Sequence, residues 1–226
     1  MDKPFFSVLV PAHNAEGFIR KGLDRIREQS FQDYELIVVC DKCSDKTAEV
    51  VSEYIQPGKD KLLVGDFKSS KNELLDNARG EWVLFMDHDD WFLHEYVFEM
   101  IAKKLKGRTD IDLLAFGFIW KGFGYRVNTA RHIYPVQWSK AWRRDFIGDE
   151  RFPIWSAIDD YGFAVKMHPK ARFEFWDMPI YYYNYMQPGS GSEKMLDGTQ
   201  SDFSDLPPYA QESARRYIEA MKKKAF

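Results

Sequence analysis

Between Phe6 and Leu105, short apolar runs alternate with segments whose apolar residues recur at helical spacing. Phe6 to Val10 is such a run, ended by Pro11, and Phe18, Ile19, Leu23 and Ile26 then share one helical face. Glu35 to Cys40 is a second strand, followed by Ser44 and Asp45 as helix caps and by Ala48, Val51 and Ile55 on one face. Leu62 to Val64 gives a third strand, Leu74, Leu75 and Ala78 a short helix, and Trp82 to Met86 a fourth strand. A helix around Tyr96 to Leu105 and a strand around Ile111 to Phe118 continue the series. This alternation predicts an α/β fold, a Rossmann-like and mostly parallel sheet with right-handed crossovers and helices on both faces. Ligands of such sheets bind beyond the carboxyl ends of the strands.

The residues just past those ends are Pro11-Ala12-His13-Asn14, then Asp41, then Asp87-His88-Asp89-Asp90. The last group leaves a fully apolar strand, so three like charges emerge together at the sheet edge. Carboxylate oxygens are hard ligands, and a divalent cation such as Mn2+ or Mg2+ offsets their repulsion. Asp87, Asp89 and Asp90 are therefore candidate metal ligands, with the alternative that one of them, Asp90, is an ordinary helix N-cap.

Beyond Phe118 the pattern loosens. Trp138 to Arg144 and Asp159 to Met167 read as helical, Phe173 to Trp176 and Ile180 to Tyr185 as extended, and Gln187 to Pro208 as a loop or tail. The length of 226 residues suits a single domain, and no apolar run approaches the roughly 20 residues that span a bilayer. The start, Met1-Asp2-Lys3-Pro4, lacks the pattern of a signal peptide, so a cytoplasmic location is expected. A net charge of -3 argues against a nucleic acid partner. Aromatic residues reach 16% and crowd the stretch from Phe116 through Tyr185, where they serve packing or stack on sugar rings.

Three blocks in order, FSVLVPAHN (Phe6 to Asn14), IVVCDKCSDKT (Ile37 to Thr47) and ARGEWVLFMDHDDW (Ala78 to Trp91), resemble glycosyltransferase family 2, inverting enzymes of the GT-A fold. Trp138 to Arg144 and Asp159 to Phe163 are similar to two later blocks of that family. The resemblance implies one GT-A domain over 1–226: a nucleotide-sugar-binding half at 1–118, an acceptor and catalytic half at 119–187, and a flexible loop and tail at 188–226. It implies transfer of a sugar from a nucleotide donor, with a UDP-sugar expected, to a saccharide or lipid-linked glycan in cell-surface polysaccharide or glycolipid synthesis.

Residue by residue, the resemblance makes Asp41 the acceptor of a hydrogen bond from the base, and Pro11, Ala12, His13 and Asn14 the turn that walls it. Glu16 and His88 flank that donor site, and Lys71 stands where the family has an Arg that reaches the nucleotide. Asp87 and Asp89 match the DxD pair for ribose and metal. Asp160 matches the catalytic general base, with Trp155, Asp159 and Tyr161 beside it for the acceptor. Lys140, Arg143 and Arg144 are candidates to neutralise diphosphate, and Gln187 to Ser192 resembles a loop that closes over the donor.

Three other readings compete. Cys40-Asp41-Lys42-Cys43 is a CxxC at a strand end, the setting of a thiol redox pair. A nucleotidyltransferase also uses such a sheet with carboxylate-bound metal, but a Gly-rich basic loop is expected after the first strand, and Ala12 to Glu16 is not one. A non-catalytic sugar-nucleotide-binding module is the third. The basic segment Ser213 to Lys224 is either a solvated terminal helix or a peripheral membrane contact at the inner face of the membrane. Oligomeric state is not legible.

Overall fold

The computed structural model describes residues 3–154, 159–185 and 211. The first half follows the expected alternation: β1 (Phe6–Ala12), α1 (Ile19–Arg27), β2 (Tyr34–Asp41), α2 (Thr47–Ser52), β3 (Lys61–Gly65), α3 (Ser70–Asn77) and β4 (Trp82–Phe85). β1 pairs in parallel with β2 on one side and β4 on the other, and β2 pairs in parallel with β3. The strands are apolar throughout because both faces are covered. Val8, Val10, Leu36, Val38 and Leu84 join one core with Ile19, Leu23 and Ile26 of α1. Their neighbours Leu9, Ile37, Val39, Val83 and Phe85 join a second core with Leu74 and Leu75 of α3.

The second half adds β5 (Trp91–Phe92), α4 (Val97–Leu105), β6 (Leu113–Trp120), β7 (Gly124–Arg126), β8 (Lys140–Arg143), α5 (Arg144–Ile147), α6 (Asp159–Met167) and β9 (Phe173–Tyr183). One sheet runs through both halves in the order β3-β2-β1-β4-β8-β6-β9-β5, with β7 on β6. β8 runs antiparallel to both β4 and β6, which leaves β6 pointing the same way as β4, and β9 is parallel to β6. Six strands therefore share one direction and the sheet is mostly parallel, as expected.

Two expectations are corrected. Trp138 to Arg144 is not a helix: after a 3-10 turn at Gln137–Ser139 it forms β8, and helix resumes only at Arg144. Ala141 and Trp142 enter cores on opposite faces of the sheet, as successive strand residues do. A strand buried on both sides shows no alternation, so the spacing of Trp138, Ala141 and Trp142 mimics a helical period. The two extended runs after Arg172 are in fact one strand, β9, interrupted by a bulge. Phe116 pairs with Trp176, but Gly117 pairs with Pro179 and Phe118 with Tyr181. Among the described residues no helix is long and apolar enough to cross a membrane. Trp155, Gln187 to Ser192 and Ser213 to Lys224 lie outside the described residues.

The amino end of the sheet is closed by a buried polar knot. Ser7 Oγ donates to Glu35 Oε1 at 2.6 Å and accepts from Gly80 N at 2.8 Å, while the Arg79 side chain donates to Glu35 at 2.8 Å. A Cβ added to Gly80 would lie 2.4 Å from Ser7 N and 2.6 Å from the Phe6 carbonyl carbon, both rigid backbone atoms. Gly80→Ala is thus expected to destabilise the fold by about 3 kcal/mol. Urea unfolding measures it, and an unchanged midpoint contradicts the close approach.

Candidate active site

At the carboxyl ends of β1 and β2 the two connecting loops are stitched together. Asn14, in the left-handed region at φ 46, accepts from Ser44 N at 2.8 Å through its side chain. Ala15 N donates to Thr47 Oγ1 at 2.6 Å, and Glu16 N donates to Asp45 Oδ2 at 3.0 Å. Lys46 N returns a bond to Glu16 Oε2 at 2.8 Å. Glu16 is thus engaged in joining the loops, where the sequence placed it with the donor. His13 Nδ1 lies 2.7 Å from the Asp41 carbonyl oxygen. The Asp41 carboxylate accepts from Phe67 N at 2.9 Å and Ser70 Oγ at 3.3 Å.

The Asp87 to Asp90 loop divides by burial. Asp87, His88 and Asp89 are partly exposed, and the His88 ring stacks on Phe18 with its Nδ1 3.1 Å from the Pro11 carbonyl oxygen. Asp90 is 1% exposed. Its oxygens accept from Tyr181 Oη and from Asn184 N, each at 2.8 Å. Tyr181 Oη also accepts from Asp87 N at 3.1 Å, so one buried phenol ties the acidic loop to the end of β9. Each Asp90 oxygen accepts a hydrogen bond inside the protein, and Asp90 braces the loop that presents Asp87 and Asp89, the more exposed metal-ligand candidates. The sequence carried no signal for Tyr181 beyond its place in an aromatic run.

Burial pushes Asp87 up to about 7; Lys71 opposes this, while Asp160, Asp89 and Asp159 add to it. Burial likewise raises Asp89, against the pull of His88 and Lys121. Crowded, desolvated carboxylates of this kind suit a divalent cation. Among the described residues no three acidic, His or Cys side chains close into a complete cage. Mg2+ and Mn2+ take one or two carboxylates and complete their shell with substrate phosphates and water.

Across the opening, α6 begins with Asp159 and Asp160. Lys71, on α3, donates to Asp159 Oδ1 at 2.8 Å and Asp160 Oδ1 at 2.7 Å, and Asp159 Oδ1 also accepts from Asp160 N at 2.8 Å. Burial lowers the Lys71 ammonium, but Asp159, Asp160 and Asp87 outweigh it and hold it above its ordinary range. Burial raises Asp160, with Lys71 pulling the other way. The resemblance places Lys71 at the nucleotide; the structure pairs it with the two carboxylates of α6. Tyr161 is half-buried one residue past Asp160.

The three other basic candidates bond to backbone. Lys140 is fully buried, with Nζ 2.5 Å from the carbonyl oxygens of Tyr134 and Val136. Arg143 donates to the Ile111 and Arg108 carbonyls, and Arg144 to Gly80 O at 2.8 Å. All three are engaged with backbone carbonyls. Cys40 is a free thiol at 0% exposure, pushed up to about 12 by burial with Cys43 and Asp45 adding. A nucleophilic thiolate is disfavoured there, against the redox reading.

The chain is 24% identical over 212 residues to EpsH of Bacillus subtilis, covering 81% of this chain and 61% of that protein. It is 27% identical over 202 residues to the poly(ribitol-phosphate) beta-N-acetylglucosaminyltransferase TarS of Staphylococcus aureus, covering 79% of this chain and 35% of TarS. The chain thus spans less than two thirds of these relatives. The structure of TarS 1–349 with UDP superposes with a TM-score of 0.66 at 25% identity, over 79% of this chain and 60% of that one. The mannosyltransferase PcManGT of Pyrobaculum calidifontis, solved with GDP-Man and Mn2+, shares the fold at 19% identity and TM-score 0.65, over 96% of this chain and 70% of that one. The fold is GT-A, and residues 7–165 match the family model described as Glycosyl transferase family 2, to which this chain belongs.

Proposed function

We propose that this chain transfers a sugar from a nucleoside-diphosphate donor, with UDP as the nucleotide, to a saccharide hydroxyl, using a divalent ion and inverting the anomeric centre. The observation that carries the reading is the approach of Asp87, after β4, to Asp159 and Asp160 at the start of α6, with the Lys71 ammonium hydrogen-bonded to both α6 carboxylates and attracting Asp87. TarS in complex with UDP and PcManGT with GDP-Man and Mn2+ support it. The name of TarS, a poly(ribitol-phosphate) beta-N-acetylglucosaminyltransferase, points to a hydroxyl-bearing polymer as the acceptor class.

In this reading Asp89, assisted by Asp87, holds Mn2+ or Mg2+, which when bound neutralises charge growing on the departing diphosphate. A carboxylate offers about four lone-pair sites, so Asp41 retains capacity for a base N–H beside its bonds to Phe67 and Ser70. His13 and Pro11 wall the base. The acceptor oxygen attacks the anomeric carbon from the face opposite the diphosphate and its proton passes to Asp160; the bond to the diphosphate breaks and configuration inverts. Tyr161, next to Asp160, is assigned to the acceptor side, and Trp155 is assigned there by the family resemblance alone.

The test is release of UDP or GDP from a panel of nucleotide sugars with Mn2+, alongside calorimetry of UDP binding. Asp160→Asn should keep UDP affinity and lose a factor of ~10² to 10⁴ in turnover; near-wild-type turnover removes Asp160 as the base. Asp89→Asn should abolish Mn2+-dependent UDP binding, and equal UDP binding by the wild-type chain in EDTA contradicts the metal reading. Tyr181→Phe leaves the buried Asp90 one partner short, and unfolding experiments should show a loss of about 1–3 kcal/mol.

A further inference from the structure

We propose that Lys71 is a positioning residue for Asp160: it fixes one carboxylate oxygen and leaves the other to take the acceptor proton, so it acts on the base and not on the donor. This inference rests on the reading of Asp160 as the base. Lys71 Nζ bonds Asp160 Oδ1 at 2.7 Å, and Asp160 Oδ2 has no hydrogen-bond partner among the described residues. A second N–H of the ammonium goes to Asp159 Oδ1 at 2.8 Å, and that same oxygen caps Asp160 N at 2.8 Å. Lys71 thus holds the Asp160 carboxylate, while the Asp159 cap holds the Asp160 backbone.

The platform under Lys71 is rigid. Ser69 Oγ accepts from Asn72 N at 3.3 Å at the start of α3. Asn72 binds the chain ahead of α6 in both directions, Nδ2 to Phe152 O at 2.9 Å and Oδ1 from Phe152 N at 2.8 Å. The Lys71 ammonium lies 5.3 Å from the centre of the Phe152 ring, and its side chain is only 16% exposed. Lys71 and Asn72 therefore clamp the segment on either side of residues 155–158 to one helix. Lys140, the other buried lysine near Asp160, does not substitute for Lys71, because its Nζ is directed to the carbonyls of Tyr134 and Val136 and to the Ser139 hydroxyl. Without Lys71, the adjacent carboxylates of Asp159 and Asp160 would repel each other in a largely desolvated setting.

Lys71→Met, Lys71→Arg and Asp160→Asn separate the roles. The readouts are turnover of a UDP-sugar found in the panel above and the Kd of Mn2+-UDP by calorimetry, with urea unfolding as a control for folding. Lys71→Met is expected to lower kcat by about a hundredfold or more, as loss of a working base does. It should change the UDP Kd by less than about threefold, and Lys71→Arg should recover about tenfold of the lost kcat. A Kd raised by about tenfold or more with kcat unchanged makes Lys71 a donor ligand and overturns the proposal. If Lys71→Met does not fold, Lys71→Arg carries the same kcat-against-Kd comparison. An inactive Asp160→Asn beside a fully active Lys71→Met sinks this inference alone. An active Asp160→Asn, or no turnover of any nucleotide sugar by the wild-type chain, sinks the underlying reading and this inference with it.

Discussion

Asp87, Asp89, Asp159 and Asp160 crowd one end of the sheet, and one largely buried ammonium, Lys71, hydrogen-bonds two of them. Desolvation works against ionised carboxylates, and mutual repulsion adds to it. The arrangement persists because the groups are mounted on separate rigid elements: β4 presents Asp87 and Asp89, α6 presents Asp159 and Asp160, and α3 presents Lys71 between them. Negative charge is gathered but not fully balanced, which is the condition under which a divalent cation is well received. The proposed chemistry uses both parts of this imbalance, a cation on the donor side and a lysine on the acceptor side.

Hydrogen bonds behind the site anchor the acidic loop and the start of α6. Tyr181 stacks on Trp138 at 5.0 Å and puts its hydroxyl between Asp87 N and Asp90, so the acidic loop cannot shift without breaking a buried hydrogen bond. On the opposite side Gln137 reaches the Asp160 carbonyl at 3.3 Å, and the Trp142 indole donates to Gln137 at 2.9 Å. Lys140 and Asn128 secure the backbone between Tyr134 and Val136. These bonds bind no ligand in the proposed reaction. Their contribution is placement, since a misplaced base or ligand loses much of its effect.

Residues that stand directly beyond β1, β2 and β4 were legible as site candidates because strand ends are set by local pattern. Asp41, Asp87 and Asp89 needed only the apolar runs before them to be placed at one edge. The partition among Asp87, Asp89 and Asp90 was not legible: three adjacent carboxylates look alike until Tyr181 and Asn184, some ninety residues on, claim one of them. The partners of Lys71 were not legible for a similar reason, since they are 88 and 89 residues away. Trp138 to Arg144 misled through its period, because burial on both faces erases the alternation that marks a strand.

The amino-acid sequence by itself determined the α/β class, the parallel first half and the sheet edge at which polar groups converge, because hydrophobic period and strand-terminal residues are local properties of the chain. Tertiary structure alone decided which carboxylates stay open, which basic residues are spent on backbone carbonyls, and that β8 closes the sheet between β4 and β6. Those outcomes depend on which distant groups satisfy each buried charge or open strand edge, and such pairings are set by packing, not by neighbours along the chain.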